Sequence, residues 1–157
     1  MEGTAIAQAQ RRDLLQSRGD GYLHGMSTSA TRFPIRFDPL YGLLSRMLLI
    51  PPSRSYVEVF DDRVDVRMAG AFDASFPRSS VVAAAKVNQR FRLTRGAHGW
   101  GGRWLVNGSG DGIVAIDLKP RQRAYVVGFP VKLQQLMVSV DEPERLIAAL
   151  KAQAPER

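Results

Sequence analysis

From Tyr56 onward, apolar and polar residues alternate. Tyr56-Val57-Glu58-Val59-Phe60 and Arg63-Val64-Asp65-Val66-Arg67-Met68 flank Asp61-Asp62. A period of two on both sides of a two-residue polar break predicts an antiparallel hairpin. That loop length sets Val59 opposite Val64 and Val57 opposite Val66 on a buried face. It also sets Glu58 opposite Asp65 on the wet face, an unfavourable pair that Arg63 or Arg67 can relieve diagonally. Further strands are expected over Ala71–Phe76, ended by Pro77, over Ser80–Val87, and over Arg90-Phe91-Arg92-Leu93. Trp104–Asn107 and Ile113–Leu118 flank Gly108-Ser109-Gly110-Asp111-Gly112 and read as a second hairpin. Ala124–Val127 and Lys132–Val140 complete the set. About seven short strands with turn signals between them predict a mainly β chain, an antiparallel sandwich or barrel.

Two segments follow the helical period instead. Asp38-Pro39 is a good helix start, and Leu40, Leu43, Leu44, Met47 and Leu48 then share one face, predicting a short N-terminal helix packed on the core. Arg46 and Pro51-Pro52 keep this segment well below the roughly 20 apolar residues that cross a bilayer. Near the other end, Asp141 as cap, Pro143 in the first turn and Glu144 three residues after the cap form a capping box. Leu146, Ile147 and Leu150 make the buried stripe of a helix expected to run to about Gln153 and to cap the sheet.

Length and composition fit one domain: 157 residues, 45% hydrophobic, 24% charged. Residues 1–30 read as a disordered extension, 31–153 as the domain and 154–157 as a tail. The extension lacks a sustained apolar run of the secretory type, and Met26 would serve as a translation start. The absence of cysteine removes disulfides, thiolate metal sites and cysteine nucleophiles. Two histidines make histidine-rich metal chemistry improbable. No cofactor or metal site is expected.

The strands followed by Leu136-Met137-Val138-Ser139-Val140-Asp141-Glu142-Pro143-Glu144-Arg145-Leu146 resemble bacterial pleckstrin-homology-like domains. There the last strand runs through a Ser-Val-Asp-x-Pro-like junction into a capping helix. Pro77–Val81, His98-Gly99-Trp100 and Arg103–Ser109 further resemble a family of bacterial hypothetical proteins. The resemblance covers residues 33–152 and implies a fold more than a function. Phosphoinositide binding is the best-known use of that fold, with cations in the first strand loop. Here that loop is Asp61-Asp62, which would repel phosphate.

Charge gives the functional direction. The chain carries 22 Lys and Arg against 15 Asp and Glu, a net +7. Residues 76–140 hold ten bases and two acids, and no acid lies between Ala74 and Gly110. Such a field attracts phosphates, anionic lipid or acidic protein surfaces, or else serves only as a solvated face. The candidate anion- and partner-binding residues are Arg90, Arg92, Arg95, His98, Trp100 and Arg103. Alternation sets Phe91 on the face opposite Arg90 and Arg92, so a stacking surface for nucleic acid is not indicated. His98-Gly99-Trp100-Gly101-Gly102-Arg103-Trp104 reads either as a loop whose tryptophans cover a barrel end or as the lining of a pocket. Gly108–Gly112 leads into a strand rather than a helix, which argues against a phosphate cradle. No nucleophile elbow accompanies His98, and Asp61, Asp62 and Asp65 sit on a surface hairpin rather than across a cleft, so no catalytic residues are assigned.

These features predict a non-enzymatic binding or scaffolding module of a cytoplasmic bacterial protein, with an acidic or amphipathic partner. The alternative is a domain peripheral to the inner membrane that meets anionic lipid through the basic 78–123 region, assisted by the 40–50 helix. An enzyme with His98 as acid–base residue is the third reading.

Overall fold

A computed structural model describes residues 29–47, 52–88 and 95–152. The extension up to residue 28, the expected strand at Arg90–Leu93, Leu48 and the helix end at Gln153 lie outside the described residues. The chain is mainly β. Its elements are β1 (Thr31–Pro34), α1 (Pro39–Met47), β2 (Ser55–Val59), β3 (Arg63–Met68), β4 (Phe72–Pro77), β5 (Val81–Lys86), β6 (Gly96–Trp100), β7 (Arg103–Asn107), β8 (Ile113–Val126), β9 (Phe129–Ser139) and α2 (Pro143–Lys151). The sheet runs β1-β2-β3-β4-β8-β9-β7-β6, with β5 also joined to β8. It does not close into a barrel and has the character of a sandwich.

The first hairpin takes the register that alternation predicts, with Val59 opposite Val64, Val57 opposite Val66 and Glu58 opposite Asp65. The acidic pair is relieved from both sides. Arg32 of β1 donates to Glu58 at 2.7 Å, and Arg63 reaches Asp65 at 3.3 Å. Arg67 is instead spent on Asp73. Val57, Val64, Val66, Phe76, Ile116, Leu133, Leu136 and Val138 form the centre of one core, into which α2 inserts Leu146 and Leu150.

Three expectations need correction. Trp104–Asn107 and Ile113–Leu118 do not pair with each other. β9 lies between them, parallel to β7 and antiparallel to β8. The Gly108–Gly112 segment is therefore no hairpin turn but a bridge over the end of β9, spanning two strand spacings of about 4.8 Å each. Glycine permits that close crossing: a Cβ at Gly112 would meet the Val140 carbonyl oxygen at 2.4 Å, and one at Gly108 the Phe37 ring at 2.5 Å. Second, Asp141 does not cap α2. The cap position is Glu142, without a side-chain cap bond, and Pro143 is buried in the first turn. Third, α1 forms but is not packed on the core through its leucines. Leu40, Leu43, Leu44 and Met47 are exposed, while Tyr41 stacks on Phe37.

Nine strands form among the described residues. β1 and β6 are additional, and the segments expected at Ile113–Leu118 and Ala124–Val127 are one strand, β8. Its first half pairs with β5 and the end of β9; its second half pairs with β4 and the start of β9. The register with β9 shifts between Asp117 and Gln122, so the four residues between are accommodated as a bulge. Beyond it, β8 and β9 continue as a hairpin closed by Val126 and Phe129 around Val127-Gly128. Both turn residues have positive φ, 49° and 81°. That is the arrangement of a type I′ turn, which favours Asn, Asp or Gly at the first position. A β-branched residue there is an outlier, at a cost of about 1–3 kcal/mol.

Leu146 is fully buried beneath α2. Leu146→Ala is expected to lower unfolding free energy by roughly 2–5 kcal/mol in a denaturant titration, because the truncated side chain leaves a cavity. A wild-type midpoint would mean that α2 is not docked on the sheet.

Candidate anion-binding site

Of the six residues singled out by sequence, four are described, and they fall at two places. Arg90 and Arg92 lie outside the described residues. Arg95 is a structural cation rather than a free one. Its side chain is 19% exposed, and its Nε donates to Asp38 at 2.8 Å, with Nη2 bonded to the same oxygen. The reason is where β6 begins. Asp38 is held by its own amide, which donates to the Gly108 carbonyl at 2.8 Å, and by Ser109, whose hydroxyl donates to its carboxylate at 2.7 Å. This fixed carboxylate attracts the nearest guanidinium. His98 is exposed and its ring Nε2 meets the Arg95 carbonyl, so it too belongs to this corner.

His98–Trp104 is not a loop covering a barrel end. It is the β6–β7 hairpin, turning at Gly101-Gly102 with both at positive φ. Trp104 is partly buried against the core, and its indole donates to the Lys132 carbonyl. Trp100 points away from the core and is 91% exposed. It pairs across the hairpin with Arg103, so both side chains leave the same face of the sheet. Of the sequence-predicted residues, the structure brings Trp100 and Arg103 together.

Arg103 in turn registers with Gln135 of β9, and Gln135 with Asp117 of β8. Around this row lies a hollow of about 400 Å³ lined by Arg103, Asp117, Lys119, Arg121 and Gln134. Asp117 accepts from Gln135 at 2.7 Å, and Arg121 donates to Gln134 at 3.1 Å. A second hollow of about 570 Å³ adjoins it, lined by Arg121, Arg123, Pro130 and Lys132. Arg121 is common to both, so the basic surface is continuous. Arg123 and Lys132 stand directly opposite each other across β8 and β9. Like charges in that position repel.

No carboxylate forms an ion pair with Arg103, Lys119, Arg121, Arg123 or Lys132 among the described residues. The cations of the other strands are neutralised: Arg32 by Glu58, Arg63 by Asp65, Arg67 by Asp73 and Lys86 by Glu144. Sequence reasoning counted these bases but did not group them. The signal was the alternation Lys119-x-Arg121-x-Arg123-x-Tyr125, legible once 113–126 is taken as one strand; Pro120 hid it.

A hollow of about 670 Å³ lies between β5 and the end of α2. Its lining mixes the cations Arg78 and Lys151 with carboxylates. Arg78 donates to the Phe60, Ala149 and Ala152 carbonyls, capping α2, and Asp61 and Asp62 stand at the rim. Among the described residues no group of three or more His, Asp or Glu could hold a metal ion, and no helix is long and apolar enough to cross a membrane. Compared with family models, with curated proteins and with solved structures, the chain matches none.

The Asp38 corner makes a pH prediction. Burial alone would raise the Asp38 carboxyl, but hydrogen bonds from Ser109 and Arg95 and the charges of Arg95 and Arg36 outweigh it and hold it below its ordinary value. A folded-state value below the unfolded one, about 3.9, contributes stability above that pH and loses it as pH falls through the folded value. Asp38→Asn is therefore expected to be less stable than wild type at pH 7, with the gap closing as the wild-type carboxyl protonates. Thermal midpoints at pH 7 and near pH 3 check this, and a gap independent of pH contradicts it.

Proposed function

We propose that this chain is a non-enzymatic binding module of pleckstrin-homology-like type that takes an anionic partner on its basic face. One observation carries the reading: five cations on adjoining strands stand without carboxylate partners while cations elsewhere on the sheet are paired. A purely solvating surface has no reason to set Arg123 against Lys132 at a directly opposed position. An incoming anion offsets that repulsion and gains from both charges.

The run of strands, antiparallel but for the β7–β9 pair and ending in a capping helix, is in keeping with the pleckstrin-homology-like reading. The face proposed here is on β7, β8 and β9, away from the Asp61-Asp62 loop. An enzymatic reading through His98 has less support, since its ring is engaged with a backbone carbonyl at an exposed corner.

Arg121→Glu/Arg123→Glu reverses two charges on exposed side chains, so the thermal midpoint should stay near that of wild type. Affinity for a soluble polyanion such as polyglutamate should fall at least about tenfold at about 0.15 M salt. Wild-type binding should weaken as salt rises. Equal binding by wild type and the folded double variant, or no binding by either, contradicts the proposed face.

A further inference from the structure

We infer that the anionic partner is a lipid bilayer, and that the tip of the β8–β9 hairpin enters its interface. This rests on the basic face proposed above and names what that face meets.

The tip is apolar where a turn made only for folding would be polar. Val127 is 67% exposed and Phe129 73% exposed, with Tyr125 beside them also exposed. Val127 holds this position at φ 49°, in a backbone conformation that Asn or Asp adopts more easily. What valine supplies there, and asparagine does not, is apolar surface in water. An observed backbone outlier of this kind points toward a contact made elsewhere.

The order of side chains along the hairpin matches the layers of a membrane surface. Val127, Gly128 and Phe129 come first. Tyr125 and Pro130 form the next outward-facing row, and Arg123 and Lys132 the one behind it. At about 3.4 Å per residue, the cations lie about 14 Å behind Val127. An apolar face settles roughly 5–10 Å into the headgroup and acyl boundary, which leaves those cations at the level of the lipid phosphates. Asp73, paired with Tyr125 across β4 and β8, does not oppose this, because Arg67 neutralises it.

The second hairpin stands further back. β7 is parallel to β9 and begins at Arg103, level with Gln135, three residues beyond Lys132 from the tip. Trp100 and Arg103 thus stand about 10 Å behind the Arg123–Lys132 row, outside the membrane layer. An acidic protein segment would use the cations but has no use for an apolar point placed ahead of them.

The test uses the full chain with two probes at about 0.15 M salt: vesicles of mixed phosphatidylglycerol and phosphatidylcholine, and soluble polyglutamate. Val127→Asn creates the Asn-Gly sequence that this turn prefers, so its thermal midpoint should equal or exceed that of wild type. With Phe129→Ser added, affinity for the vesicles should fall at least about tenfold while polyglutamate binding is unchanged. Binding of polyglutamate without vesicles, or wild-type vesicle binding by the folded double variant, overturns the bilayer inference and leaves the basic face standing. Binding of neither probe by wild type overturns both.

Discussion

Strand β8 is the constraint on which the other features depend. Its fourteen residues serve two sets of neighbours: β5 and the end of β9 first, then β4 and the start of β9. The bulge between Asp117 and Gln122 changes register without breaking the strand. Buried Ile116 before it, Leu118 within it and Ala124 after it hold both halves on the same core. Because β9 follows β8 for its whole length, the pair reaches Val127 as one hairpin. The outward positions it carries, Lys119, Arg121, Arg123 and Lys132, cannot turn inward without moving the apolar set. The basic face is thus a consequence of how the core is filled.

The far end of the fold is held by a polar latch. The Ile35–Val140 bridge joins the β1 side of the sheet to the end of β9. Ser139 accepts from the Gly108 amide and donates to the Arg36 carbonyl, while Asp38 collects Ser109 and Arg95. These groups are short and rigid, and they leave the molecule with one fixed corner and one projecting hairpin. A strained valine can persist at the hairpin tip because the paired strands behind it over-determine the turn.

Local patterning disclosed the parts of the fold that depend on it. The β2–β3 register follows from Val57, Val59, Val64 and Val66, and the closing helix from Leu146 and Leu150. What stayed hidden depends on partners distant in sequence. Trp104–Leu118 looks like a hairpin because nothing local says that β9, more than ten residues later, will fill the space between. Lys119-Pro120 reads as a break because proline normally ends a strand, yet here it sits in the bulge where no ladder donor is needed. Arg95 looked like a free cation because Asp38 lies 57 residues away. Arg103 and Trp100 stand side by side because they face each other across a short turn. The exposed leucines of α1 show the limit of periodicity: it predicts a helix and an apolar face, but not that the face is covered.

The central claim, that the β8–β9 hairpin is the contact surface and meets a bilayer, is tested most directly by amide hydrogen exchange of the full chain with and without anionic vesicles. New protection should concentrate between Arg121 and Lys132 and should vanish at high salt. Protection confined to α1, or to the hollow between β5 and α2, would contradict the claim.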